Sequence, residues 1–305
     1  MQDAFLFPGQ GSQAVGMMKN LMARAEVADT FREASAVLGY DLRQLVEEGP
    51  AEQLNQTLFT QPAMLAAGIA AYRAWRALGG AAPAFLAGHS LGEYTALVAA
   101  EALDLADALR LVRYRAEVMQ AAVPEGSGAM AAILGLEDEA VREVCAQAAH
   151  GEVLEAVNYN SPGQVVIAGH KNAVERGMAL ARERGAKRAL ALPVSVPSHS
   201  SLMRPAAAHL AEKLAQTSLR APCIAVWHNA DVAAHSEPSR IRDALTRQLY
   251  APVRWVETIH ALKAQGAERF LECGPGKVLA GLNKRIDDRL ATFALTDEAA
   301  IRAAL

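Results

Sequence analysis

The chain has 305 residues, 52% of them hydrophobic, and a formal net charge of −3, enough for one large or two moderate globular domains with a sizeable core. Both signs of charge are spread along it, so no basic block faces nucleic acid or an anionic membrane surface, and neither is expected as a partner. No apolar run approaches the ~20 residues of a membrane helix, Met1 to Asp3 lead into a strand-like run without a charged leader, and Cys145, Cys223 and Cys273 follow no CxxC spacing. The expectation is a cytosolic protein, a monomer, with buried thiols, no metal and no cofactor.

Ala4–Phe7 reads as a short apolar strand, followed by a glycine-rich turn from Pro8 to Gln13. Gly9, Gly11 and Ala14 fit GxGxxA, but the following stretch, Met17 to Leu38, reads as a helix interrupted around Ala23–Ala25, with no early second strand ending in a ribose-binding acid. Gly11 and Gly16 have P-loop spacing, yet Met17 and Met18 stand where a lysine and a hydroxyl belong. What remains is a loop able to aim a backbone N–H at a neighbouring site. Short helical stretches fill Leu42–Leu58, and a long Ala-rich helix runs from Gln61 to Leu78.

Ala84–Ala87 reads as a buried strand, Gly88-His89-Ser90-Leu91-Gly92 as GxSxG, and Tyr94–Ala100 as helix. A serine on such a strand-to-helix turn is held in strained geometry with its hydroxyl pushed outward, the arrangement of a nucleophile elbow. The next helix, Leu103–Ala122, has an apolar stripe through Leu105, Ala108, Val112 and Met119, and Arg115 lies on that stripe. An inward arginine needs a negative partner or water; an internal carboxylate would satisfy it as well as a ligand would.

From Ser127 the pattern becomes βαββαβ: strand Gly128–Leu134, helix Glu137–Ala149, strands Val153–Tyr159 and Gln164–Ala168, helix Asn172–Arg184, strand Lys187–Leu192. This is the order of a ferredoxin-like unit, read as a subdomain of residues 127–193 inserted into a larger α/β domain of residues 1–126 and 194–305. The host resumes with a loop from Val194 to Ser200 and a helix from Ser201 to Ala215. His150, His170, His209, His235 and His260 fall on helix faces or element ends, whereas His199 occupies a polar loop at the seam of insertion and host. Strands Ile224–His228, Arg269–Cys273 and Ala291–Leu295 and helices Arg240–Tyr250, Val256–Ala264 and Lys277–Ile286 complete the host, with a short terminal helix.

A serine nucleophile needs a base and an oxyanion hole. Ser90 and His199 suit the first two roles, and the N–H of Leu91 with one from the Gln10 loop would make the hole. No acid to hold the imidazole is evident, because Asp138, Glu143, Glu155 and Glu175 sit mainly on the outsides of their elements; a main-chain carbonyl is the alternative.

The chain resembles the malonyl-CoA:acyl-carrier-protein transacylases of bacterial fatty acid synthesis. The resemblance rests on Phe7-Pro8-Gly9-Gln10-Gly11-Ser12-Gln13, on Gly88-His89-Ser90-Leu91-Gly92-Glu93-Tyr94, on Val112-Arg113-Tyr114-Arg115, on Asn158 to Val166, on Val196-Pro197-Ser198-His199, on Gln248-Leu249-Tyr250 and on Gly274-Pro275-Gly276-Lys277. It implies an α/β-hydrolase-like domain with a ferredoxin-like insertion, Ser90 as nucleophile, His199 as general base and acid, and Arg115 as clamp for the malonyl carboxylate. The amides of Gln10 and Leu91 would form the oxyanion hole, and the carbonyl of Gln248 would orient His199. The implied partners are malonyl-CoA and acyl carrier protein. A malonyl transferase of a polyketide synthase would read the same way; a serine thioesterase would want a triad acid and no carboxylate clamp. Because carrier proteins are acidic, Lys187 and Arg188 are expected near the cleft mouth as docking charges.

Overall fold

The computed structural model describes residues 2–194 and 196–305; Met1 and Ser195, the latter in the loop expected to lead to His199, lie outside the described residues. In chain order the strands are β1 (Asp3–Phe7), β2 (Phe85–Gly88), β3 (Gly128–Leu134), β4 (Leu154–Ser161), β5 (Gln164–His170), β6 (Arg188–Ala191), β7 (Ala225–His228), β8 (Ala233–Ala234), β9 (Arg269–Glu272) and β10 (Ala291–Ala294). They form two sheets. The larger has the order β10-β9-β1-β2-β7-β8 and is parallel from β10 to β7, with β8 added antiparallel at its edge.

Strands buried on both faces read as continuous apolar runs, and β1 is fully buried from Ala4 to Phe7. One face carries the helix Thr57–Ala77, buried at nearly every position from Thr60 to Ala71, with Gly92–Ala99 and Leu105–Ala121 beside it. The other is covered by a core around Trp255, Ile259, Leu262 and Phe270. Both loops that matter below, after β1 and after β2, leave carboxyl ends of adjacent parallel strands, where open α/β sheets form their binding crevice.

The smaller sheet, β4-β5-β3-β6, is antiparallel throughout, with helices Asp138–Ala148 and Lys171–Glu183 on one face, their Val144 and Val174 sharing a core with Ile133 and Ile167 of the sheet. It is the ferredoxin-like order that the βαββαβ pattern predicts. Its edge strand β4 is tied to the host: Tyr159 N donates to Val253 O at 2.9 Å, and Val253 N to Val157 O at 2.8 Å.

One expectation needs correction, and one strand went unread. The helix expected from Met17 begins only at Ala25. Gly16, with φ +77°, diverts its N–H to Val46 O, and turns such as Lys19 N to Gly16 O and Leu21 N to Met18 O bury Met18, Leu21 and Met22 without an α-helix. The two-residue β8 carries too short a pattern to be read as a strand.

Candidate active site

β2 ends at Gly88 and the helix Gly92–Ala99 starts four residues later, so the chain reverses around Ser90, which adopts φ 51°. A non-glycine residue in this region stores on the order of 1–3 kcal/mol and needs its surroundings to enforce the conformation. The two flanking glycines leave the room: a Cβ on Gly88 would sit 1.8 Å from the carbonyl carbon of Gly92, and one on Gly92 would sit 2.0 Å from Phe7 O. Hydrogen bonds supply the enforcement. Ser90 N donates to Asn229 Oδ1 at 2.7 Å, Asn229 Nδ2 donates to Gly88 O at 2.7 Å, and Gln248 Nε2 donates to Ser90 O at 2.9 Å.

His199 also has positive φ, 65°, and is 3% exposed. Its Nε2 lies 2.7 Å from Ser90 Oγ, and its Nδ1 lies 2.7 Å from the main-chain O of Gln248. A carbonyl only accepts, so Nδ1 carries the proton and Nε2 faces Ser90 with its lone pair. Burial, followed by the nearby Arg115 charge, pushes the imidazole down to about 3, so it is neutral and able to accept a proton at neutral pH.

Arg115 is 2% exposed on the inner face of Leu105–Ala121. Its Nη1 donates to Gln61 Oε1 at 2.9 Å and its Nη2 to Gln248 Oε1 at 3.0 Å; Nη2 also reaches Ser90 Oγ at 3.4 Å. These partners are all neutral, Nε has none, and among the described residues no carboxylate lies within ion-pairing distance of the guanidinium. Burial lowers its pKa, opposed by the phenol of Tyr94 and the carboxylate of Glu93. The internal ion pair that would have made Arg115 purely structural is not there.

Ser90, His199, Arg115, Gln10 and Leu91 line one cavity of about 160 Å³. Among the described residues neither the Gln10 nor the Leu91 amide donates to a protein acceptor, and Gln10 is anchored by Nε2 to Thr57 Oγ1 at 3.1 Å. The Ser90 amide is occupied by Asn229. Leu192, Val194 and Val196, from the segment between β6 and His199, also line it.

Of the carboxylates expected on the outside, Glu155 is displaced from that reading: it accepts from both Ser201 N and Ser201 Oγ at 2.7 Å, holding the chain just after His199 to β4. Lys187 and Arg188 do not line the cavity. They stand at the far end of β6 from Leu192, four to five residues or roughly 13–17 Å of extended chain away, and Lys187 packs its stem on Gly135. Cys223 is exposed rather than buried.

The residues not singled out from the sequence form the support around this centre. His89 Nε2 hydrogen-bonds Asn160 Oδ1 at 2.8 Å and its ring lies 5.4 Å from that of Trp255. Behind the elbow, Glu93, His228 and Asn229 join the side chain of Gln248, of which the sequence suggested only the carbonyl, in one fully buried polar cluster. A glutamate on the otherwise apolar helix Gly92–Ala99, and polar residues at the carboxyl end of β7 beside β2, were the available signals.

A serine on a strand-to-helix turn of a parallel sheet, with a neutral imidazole against its hydroxyl, defines a serine-dependent acyl-group enzyme of the α/β-hydrolase-like kind. The model of the acyl transferase domain matches residues 4–288, and the chain belongs to that family. It is 57% identical over 305 residues to the malonyl CoA-acyl carrier protein transacylase of Escherichia coli K12, covering 100% of this chain and 99% of the relative. The crystal structure of an acyl-carrier-protein S-malonyltransferase from Burkholderia pseudomallei superposes with a TM-score of 0.98 at 55% identity, covering 100% of this chain and 99% of that one. A malonyl-transacylase solved in complex with a type II polyketide synthase acyl-carrier protein gives a TM-score of 0.98 at 52% identity, covering 100% and 99%. Among the described residues no helix is long and apolar enough to cross a membrane.

Proposed function

We propose that this enzyme moves a malonyl group from malonyl-CoA to the phosphopantetheine thiol of an acyl carrier protein through an ester on Ser90. The observation that carries the reading is Arg115: a buried guanidinium without a carboxylate partner, 3.4 Å from a serine hydroxyl that is itself 2.7 Å from a neutral histidine. A substrate carboxylate on Arg115 places the acyl carbonyl of a three-carbon diacid thioester beside Ser90 Oγ.

In the first half-reaction His199 Nε2 takes the Ser90 proton as Oγ attacks the thioester carbonyl. The amides of Gln10 and Leu91 are placed to receive the developing oxyanion, and the Gln248 carbonyl supports the imidazolium through Nδ1–H. Collapse breaks the C–S bond, and His199 returns the proton to the CoA thiolate. In the second half-reaction the carrier thiol gives its proton to Nε2 and attacks the ester; collapse breaks the C–Oγ bond and Ser90 is reprotonated. A thioesterase would run the same first step, but His199 is held by a carbonyl rather than a carboxylate and the cavity offers a cation for the acyl group, which favours transfer of a charged acyl unit.

Residues 127–193 are taken as the inserted subdomain, supported by the continuous antiparallel sheet spanning 128–191. Three free cysteines support a reducing compartment, the cytosol. The polyketide alternative is favoured by the solved complex with a polyketide carrier. Incubation with malonyl-CoA and a fatty-acid or a polyketide carrier protein tests both: loading of the fatty-acid carrier at the higher kcat/KM is expected, preference for the other selects the alternative, and hydrolysis without loading of either contradicts the proposal.

A further inference from the structure

Arg115 poses a physical problem in the free enzyme: a guanidinium this deeply buried needs a negative charge nearby, yet its direct partners are two amide oxygens and a hydroxyl. The nearest carboxylate in the hydrogen-bond network is one residue further. Gln248 Oε1 accepts from Arg115, while Gln248 Nε2 donates at 2.7 Å to Glu93 Oε2. Glu93 is 0% exposed and is satisfied on its other sides by Asn229 N at 3.1 Å and by His228 Nδ1 on Oε1. The ring of Tyr94 lies under the guanidinium at 5.6 Å and its phenol is pushed far up by burial, so Glu93 is the carboxylate that the network brings to Arg115.

We propose that Glu93 is a positioning residue of the transferase, the counter-charge of Arg115 held one amide away by Gln248. The spacing resolves two conflicting demands. A carboxylate touching Arg115 would stabilise the charge but occupy the N–H groups meant for substrate; no carboxylate at all would leave an uncompensated buried cation. The intervening amide transmits orientation and field while leaving one terminal N–H of Arg115 unpartnered and another on Ser90 Oγ alone, at 3.4 Å. Because Glu93 only accepts, it also dictates which end of the Gln248 amide faces Arg115, and through Asn229 it secures the Ser90 amide. The specificity consequence rests on the reading of Arg115 as carboxylate clamp; the counter-charge itself does not.

A double-mutant cycle tests the coupling without substrate. Glu93→Gln, which keeps the size of the side chain, is expected to lower the melting temperature by several degrees, and by much less in an Arg115→Met background, where no cation needs compensation. Equal falls in both backgrounds overturn the proposal. The exchange variant Glu93→Gln with Gln248→Glu keeps net charge but moves the carboxylate into contact with Arg115; it gives up the donor to Ser90 O, and reading a substrate ratio cancels a loss common to both acyl groups. It is expected to fold and to lose at least about tenfold of the malonyl-over-acetyl preference in kcat/KM, the weight of a hydrogen bond to a charged group. Wild-type preference in the folded exchange variant overturns the proposal, and this arm decides if Glu93→Gln alone does not fold. Arg115→Met in the same assay separates the two readings: if it leaves the preference untouched, the clamp fails, while the melting cycle still judges the counter-charge.

Discussion

Replacing Arg115 by alanine should convert a malonyl-selective enzyme into one that handles acetyl and malonyl groups comparably. Two terminal N–H groups are free or weakly held for the substrate carboxylate, and charge-assisted hydrogen bonds contribute about 1.5–3 kcal/mol each. Their loss predicts a fall in kcat/KM for malonyl-CoA of roughly 10² to 10⁴-fold. Acetyl-CoA makes no such contacts and leaves the wild-type cation facing a methyl group, so its transfer should be maintained or should rise. The structure explains why the effect is selective. Gln248 keeps its bonds to Glu93 and Ser90 O when Arg115 is gone, and its carbonyl still holds His199, so the acid-base machinery is not dismantled. The assay is transfer from each acyl-CoA to carrier protein, with circular dichroism confirming the fold. Arg115→Lys should recover only part of the activity, since it keeps the charge and loses the planar fork. An equal fall for both substrates would refute the reasoning and reduce Arg115 to a structural residue.

Other expectations follow from the same geometry. His199→Ala should slow acylation and transfer by about a hundredfold or more; a wild-type rate would require another base. With His199 pushed down to about 3, kcat/KM for malonyl-CoA should run flat through pH 6.5, and an inflection there that vanishes in a folded His199→Asn variant would contradict the assigned environment. The same shift makes the folded state bind fewer protons than the unfolded one, so its contribution to stability is complete above pH 6.5 and is lost as pH falls towards 3. His199→Asn should therefore flatten part of the loss of melting temperature between pH 6.5 and 5, to which His89, also lowered by burial, contributes in the same direction. Asn229→Ala frees both the Ser90 amide and Gly88 O and should cost about 1–3 kcal/mol of stability with reduced kcat; unchanged urea denaturation would mean that the elbow is enforced by the glycine packing alone.

The parts of this architecture that were legible share a feature: their signal is local. The turn around Ser90 is written in two glycines at fixed spacing, the inward direction of Arg115 in a stripe of 3.6 periodicity, and the smaller sheet in a βαββαβ order whose hairpin at Asn160–Gly163 breaks the surrounding rhythm. The illegible parts depend on long-range juxtaposition. Nothing local says that Asn229, 139 positions beyond Ser90, accepts from its amide, or that Glu155 on β4 holds the chain after His199. Gln248 shows the limit most clearly. Family resemblance suggested its carbonyl, but the side chain, which links Arg115, Ser90 and Glu93, is visible only once three separate segments are folded together. Lys187 and Arg188 were placed by charge and sequence proximity, and strand direction carries them away from the cavity.

The central claim is that the acyl group passes through Ser90, and the most direct test omits the acceptor. Brief incubation with malonyl-CoA in the absence of carrier protein, followed by intact-mass and peptide analysis, should show one malonyl group on the peptide containing Ser90, lost on adding carrier protein with the appearance of malonyl carrier and absent from a folded Ser90→Ala variant. An adduct on Cys145, Cys223 or Cys273 instead, or carrier loading by Ser90→Ala at the wild-type rate, would contradict it.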